Sequence, residues 1–208
     1  MEFWNDEVTD RSWKELTELS KRIKFILIGG WAVYLYTKLQ KSKDIDVIVD
    51  YDTLRVLGSG QRLNKNDRLR KYEVKRDGFD IDIYLPGYSE LVVPVGDITG
   101  NMLSKREGIS LPRQEVLLML KLGAYADRMN SIKGGKDAID ILGLLFYSGI
   151  DFGLLGRLLA KYKKEQYVRL MIRVLGTFDK KMLVFLNMNE KSFAIAKKKV
   201  RTELDRLL

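Results

Sequence analysis

The chain has 208 residues, 46% of them apolar and 31% charged, with a formal net charge of +9, a mix that suits a folded globular protein and not a disordered one. It holds neither cysteine nor histidine, which removes disulfides, thiol catalysis, structural zinc sites and imidazole acid–base chemistry, and leaves carboxylates, lysines, tyrosines, hydroxyls and oxygen-seeking metals. The apolar runs are too short to span a bilayer, and the acidic first ten residues lack a basic-then-apolar leader. The expected setting is therefore the cytoplasm with no membrane contact, and the positive charge favours an anionic partner such as nucleic acid, nucleotide or an acidic protein.

Trp13, Leu16, Leu19 and Ile23 fall near helical spacing and predict an amphipathic helix over residues 10–23 with Asp10 as its N-cap. Residues 25–28 read as a buried strand, Gly29 and Gly30 as a tight turn, and residues 31–40 as a short helix. A basic turn at residues 41–43 leads into a second strand carrying Asp44 and Asp46 at the start of an apolar run. Residues two apart in a strand share a face, so these carboxylates project side by side. Adjacent like charges are unfavourable unless a cation lies between them. A short helix over residues 51–57 and a polar loop to Asn66 are expected next. The loop's Gly58, Ser59, Gly60 and Lys65 imitate a phosphate loop, but Asn64 and Asn66 flank the lysine where a glycine and a hydroxyl residue are required, so the match fails.

Residues 72–75 and 79–85 predict a hairpin about the turn Arg76, Asp77, Gly78, and its second strand carries Asp80 and Asp82 on one face. Short extended runs are expected at residues 91–95 and 109–111. Pro112 suits the first position of a helix capped near Ser110 and running over 113–129. A loop at residues 130–135 separates that helix from one over 136–147, and residues 151–208 read as helical throughout. The change from mixed strands to all helix divides the chain into residues 1–111 and 112–208.

If the two acid-bearing strands are neighbours, Asp80 or Asp82 comes within a few ångströms of Asp44 and Asp46. Three carboxylates on adjacent strands suit two magnesium ions, which activate a hydroxyl and stabilise charge on a triphosphate. Gly29 and Gly30 let the backbone approach phosphate, and the helix start beyond them offers unsatisfied N–H groups.

The order apolar strand, Gly29-Gly30, thirteen residues, Asp44-Ile45-Asp46-Val47, then a later apolar-Asp-apolar segment resembles the nucleotidyltransferase superfamily of the DNA polymerase beta fold. Downstream, Lys121 and Arg128 seven residues apart, then Lys136, Asp137 and Asp140, resemble the second motif of the AbiEii-type toxin nucleotidyltransferases. The resemblance spans roughly residues 25–145. It implies an α+β fold in which a small mixed β-sheet core flanked by helices, residues 1–111, is followed by a C-terminal helical bundle, residues 112–208, that completes the nucleotide site. It implies Asp44, Asp46 and Asp82 as metal ligands and catalytic acids, with Asp82 preferred to Asp80. Gly29, Gly30, Lys121, Arg128, Lys136 and Asp137 then become the nucleotide-binding residues.

The activity implied is magnesium-dependent transfer of a nucleoside monophosphate from an NTP to a hydroxyl of RNA, of a tRNA end or of a protein. A toxin role would add an antitoxin, or a second copy, docked through the Lys-rich C-terminal helices. The alternative keeps the fold without the chemistry, as an inactive nucleotide- or RNA-binding regulatory module.

Overall fold

The computed structural model describes residues 3–208; residues 1 and 2, the start of the acidic N-terminus, lie outside the described residues. The architecture is α+β. In chain order its first part holds α1 (Asp6–Arg22), β1 (Ile26–Ile28), α2 (Gly29–Thr37), β2 (Ile45–Ile48), α3 (Tyr51–Ser59), β3 (Asn64–Asn66), β4 (Lys71–Lys75) and β5 (Asp80–Tyr84). These strands form one mixed sheet in the order β1-β2-β5-β4-β3. Only β2 and β5 run parallel; the other neighbours are antiparallel.

Period-two alternation sorts the side chains of the two central strands. Ile45 and Val47 of β2 and Ile81 and Ile83 of β5 are buried on the core face. Asp46, Asp82 and Tyr84, one residue out of phase with them, take the opposite face. Trp31 of α2, 1% exposed, fills the space between sheet and α1, with its indole N–H donating to Ser12 Oγ at 2.9 Å. Helix α1 starts earlier than its apolar spacing predicts. Asn5, not Asp10, is the N-cap, its side chain accepting from the Glu7 and Val8 N–H groups.

The second part begins with a hairpin, β6 (Leu103–Arg106) and β7 (Ile109–Pro112), followed by α4 (Gln114–Arg128), α5 (Ile132–Tyr147), α6 (Phe152–Lys161), α7 (Gln166–Thr177), a 3-10 segment Lys180–Leu186 and α8 (Glu190–Asp205). One apolar cluster runs from Leu16 to Leu204 and takes side chains from both sides of Leu111. Among the described residues, no helix is long and apolar enough to cross a membrane.

Further segments differ from the sequence expectation, β6 among them. Asn64–Asn66 is an edge strand on β4; backbone pairing holds it, so no apolar alternation announces it. Residues 91–95 form no strand. Val93 and Val95 are buried there, and Pro94 lacks the N–H that a ladder needs. Pro112 closes β7 opposite Leu103, and α4 starts two residues later. Helix α5 starts at Ile132, with Ser131 Oγ accepting from the Gly134 N–H at 3.0 Å. Lys136 therefore lies one turn inside the helix, not at its start. Gly134 is required by packing, since a Cβ there would meet the Arg128 carbonyl oxygen at 2.2 Å.

Candidate active site

Strand β2 is the middle of the site. Asp46 faces Ile28, the last residue of β1, on one side and Asp82 of β5 on the other. Because Gly29 follows Ile28 directly, the register brings the glycine backbone against Asp46. A Cβ on Gly29 would stand 2.0 Å from Asp46 Oδ2, and its φ of +70° is one that side-chain-bearing residues rarely adopt. A Cβ on Gly30 would stand 2.5 Å from Ser42 Oγ. The pair is thus a close-approach turn, and α2 begins at Gly29 itself with Ile28 as an N-cap that has no side-chain cap hydrogen bond. Its first-turn N–H groups meet no capping side chain, the arrangement that suits an anion.

The acids are unevenly neutralised. Asp82 Oδ2 lies 2.5 Å from Lys71 Nζ, which also reaches Glu73 Oε1 at 3.1 Å. Asp82 Oδ1 is buried with no hydrogen-bond partner. Asp44, just ahead of β2, accepts from the Asp80 N–H at 3.2 Å and pairs with Lys133 at 3.3 Å. Among the described residues, Asp46 accepts only a long bond, 3.4 Å, from the Tyr84 hydroxyl. Burial raises the Asp46 carboxyl; Lys121 opposes this and Asp44 adds to it. Burial, then Asp46, push Asp82 up to about 7 against the pull of Lys71. Burial, then Asp46 and Asp82, hold the Tyr84 phenol well above its ordinary range. Asp80 stands apart, paired with Lys75 at 2.8 Å and outside the cavity wall.

Helices α4 and α5 supply the cations. Lys121 Nζ lies 3.2 Å from Asp137 Oδ1 and 2.8 Å from Asp140 Oδ2; Arg128 Nε lies 2.8 Å from Asp137 Oδ2, and Lys136 Nζ 2.5 Å from Asp140 Oδ1. Lys121, Lys136, Asp137 and Asp140 are all buried. Burial alone would lower the Lys121 ammonium, but Asp140 and Asp137 outweigh it and raise the group. Burial would likewise raise Asp137, yet Lys121 and Arg128 hold it below its usual range. Lys136 is lowered by burial, with Asp140 opposing and Lys121 adding to the effect. Lys121 and Lys136 are therefore committed to carboxylates. Arg128, with 41% of its side chain exposed, and Lys133, with 56%, present charge to solvent.

A cavity of about 650 Å³ gathers these groups, and its wall includes Gly29, Gly30, Asp44, Asp46, Asp82, Lys121, Arg128, Lys136 and Asp137, every site residue named from the sequence. That volume lies within the range of small-molecule sites. Sequence reasoning missed Lys71, Lys133 and Tyr84. Lys71 was detectable: in the hairpin, Glu73 pairs with Asp82, and Lys71 is two residues from Glu73 on the same face. Lys133 carried no signal, because it falls in a stretch that reads as loop.

Among the described residues, no group of three or more acidic side chains forms a ready-made metal-ligand cluster. The donor chemistry nevertheless fits a hard divalent cation, with oxygen ligands only, two carboxylates in register and a buried Asp82 oxygen without a partner.

No family model and no curated protein matches the chain. The fold is similar to that of JHP933 from Helicobacter pylori, with a TM-score of 0.50 and 16% identity over 97% of this chain and 95% of that one. An antigenic nucleotidyltransferase-like protein from Paracoccidioides brasiliensis superposes with a TM-score of 0.40 and 19% identity over 68% of this chain and 76% of that one. The first likeness shows a shared fold along nearly the whole chain; the second is too distant to carry an argument.

Proposed function

We propose that this chain is a magnesium-dependent nucleotidyltransferase, moving a nucleoside monophosphate from an NTP to a hydroxyl acceptor. The observation that carries the reading is Asp46 opposite Asp82 on parallel strands, with the Gly29 backbone pressed against Asp46. Asp44, Asp46 and Asp82 would hold two magnesium ions, which lower the pKa of the attacking hydroxyl and neutralise charge on the triphosphate. Gly29, Gly30 and the uncapped start of α2 receive phosphate oxygens, and Arg128 and Lys133 add positive charge. Lys121, Lys136, Asp137 and Asp140 form the buried frame on which Arg128 is aimed.

In the transfer, the acceptor oxygen bonds to the α-phosphorus. The bond from that phosphorus to the oxygen bridging the β-phosphate breaks, and pyrophosphate leaves with the electron pair. The acceptor proton passes to Asp82, the carboxylate opposite Asp46. The net charge of +9 and the family resemblance favour an RNA end, tRNA included, or a protein side chain as acceptor. The same resemblance favours a toxin role, with an antitoxin or second copy on the C-terminal helices.

Incubation with labelled NTPs, magnesium and total RNA or protein tests this. Incorporation by the wild type and its loss in the Asp44→Ala/Asp46→Ala double variant are expected. No incorporation, or incorporation that survives the double substitution, refutes the enzyme.

A second reading, a binding module without chemistry, is favoured by one observation: Lys71 and Lys133 already pair with Asp82 and Asp44. Nucleotide binding that is independent of magnesium in a calorimeter would select it.

A further inference from the structure

One aromatic side chain on the cavity wall takes no part in the chemistry above. Trp4 lines the cavity together with Ser42 and Lys43 and is half-buried. It is fixed from both sides along the chain. The Phe3 N–H donates to Gln40 Oε1 at 2.9 Å, and the Phe3 ring packs on Phe185 at 5.5 Å and edge-on to Trp4 at 4.9 Å. On the other side Asn5 caps α1. Gln40 precedes Ser42 and Lys43 by two and three residues, so the anchor for Phe3 and this part of the wall belong to one short stretch.

The other tryptophans do a different job. Trp13 and Trp31 pack on each other at 5.0 Å and both meet Tyr34. Trp4 is not in that cluster; among the described residues its ring neighbour is Phe3. A large indole at a cavity of charged groups offers a flat π-face to a ligand. Lys43, also on that wall, adds a positive charge. A ring and a cation on one cavity wall suit a base joined to its phosphate.

We infer that Trp4 is the stacking platform for a nucleobase at this site, an assignment that rests on the nucleotide reading of the cavity. The base belongs either to the donor triphosphate or to the end of a nucleic-acid acceptor. Calorimetry on the full chain distinguishes these, using the four NTPs, a single-stranded RNA hexamer and inorganic tripolyphosphate as ligands for wild type, Trp4→Ala and Trp4→Phe. Trp4→Ala weakens base-bearing ligands by about 5- to 150-fold and leaves tripolyphosphate unchanged, while Trp4→Phe recovers most of the loss. A loss confined to NTPs assigns the donor base, and one confined to RNA assigns the acceptor. Quenching of tryptophan emission by the ligand is expected in the wild type and absent in Trp4→Phe.

Unchanged affinity for every base-bearing ligand, an equal loss for tripolyphosphate, or quenching that persists in Trp4→Phe overturns the stacking role while leaving the nucleotide reading intact. A wild type that binds none of these ligands overturns the nucleotide reading itself.

Discussion

Replacing Asp82 with asparagine separates the electrostatics of the site from its chemistry. The side chain is 13% exposed, its shape is nearly conserved, and Lys71 keeps Glu73 as a partner at 3.1 Å. Burial, then Asp46, raise the carboxyl from 3.8 to about 7 with Lys71 opposing. A folded-state pKa above the unfolded one means that the group's contribution to stability is complete below about pH 3.8. It is lost as pH rises and stays lost above about pH 7.

At about 1.4 kcal/mol for each pH unit between those values, the full loss is about 4 kcal/mol, of which less than half is incurred by pH 5. Asparagine does not titrate, so the variant gains on the wild type by roughly 2–3 kcal/mol between pH 5 and pH 8, or about 5–10 °C in Tm for a chain of this size. Thermal unfolding of both proteins in a chelator at the two pH values measures it, and magnesium at pH 8 is expected to narrow the gap by stabilising the wild type. A Tm difference that is the same at both pH values refutes the reasoning, because Lys71 would then neutralise Asp82 fully and the acids would not need a further cation.

Two further stability predictions follow from the packing. Gly29→Ala drives a Cβ to 2.0 Å from Asp46 Oδ2 at a left-handed φ and is expected to cost about 2–4 kcal/mol in a urea titration. Gly135→Ala is the control, since a Cβ there meets nothing within 4 Å and should be neutral or stabilising by up to about 1 kcal/mol; equal effects of the two would contradict the close approach. Lys121→Met strips a buried cation from both Asp137 and Asp140 and should cost about 3–5 kcal/mol. Lys136→Met leaves Asp140 paired with Lys121 and should cost less, and the reverse order of unfolding midpoints would show that Lys121 does not hold the frame.

Much of the site was legible because it depends on local pattern. The Asp46 and Asp82 faces follow from strict alternation with Ile45, Val47, Ile81 and Ile83. The hairpin follows from Asp77-Gly78, where Gly78 has φ +87°. What escaped was structure held by partners far away in sequence or by backbone alone. Strand β3 is polar and exists because β4 offers it an edge. The start of α5 is set by Ser131 and by the approach of Gly134 to Arg128, neither visible in a stretch rich in glycine. The pairing of Lys133 with Asp44 spans 89 positions, so no local pattern could encode it.

Taken alone, the amino-acid order determined which residues share a face and which chemistries the missing thiol and imidazole exclude, since these depend on side-chain periodicity and composition. Only the tertiary structure decided that β2 and β5 lie parallel with Asp46 opposite Asp82, and that α4 and α5 bring Arg128 and Lys133 over them. Register between distant strands is set by how the apolar faces of the whole core fit together. That fit is a property of the folded chain and of no single segment.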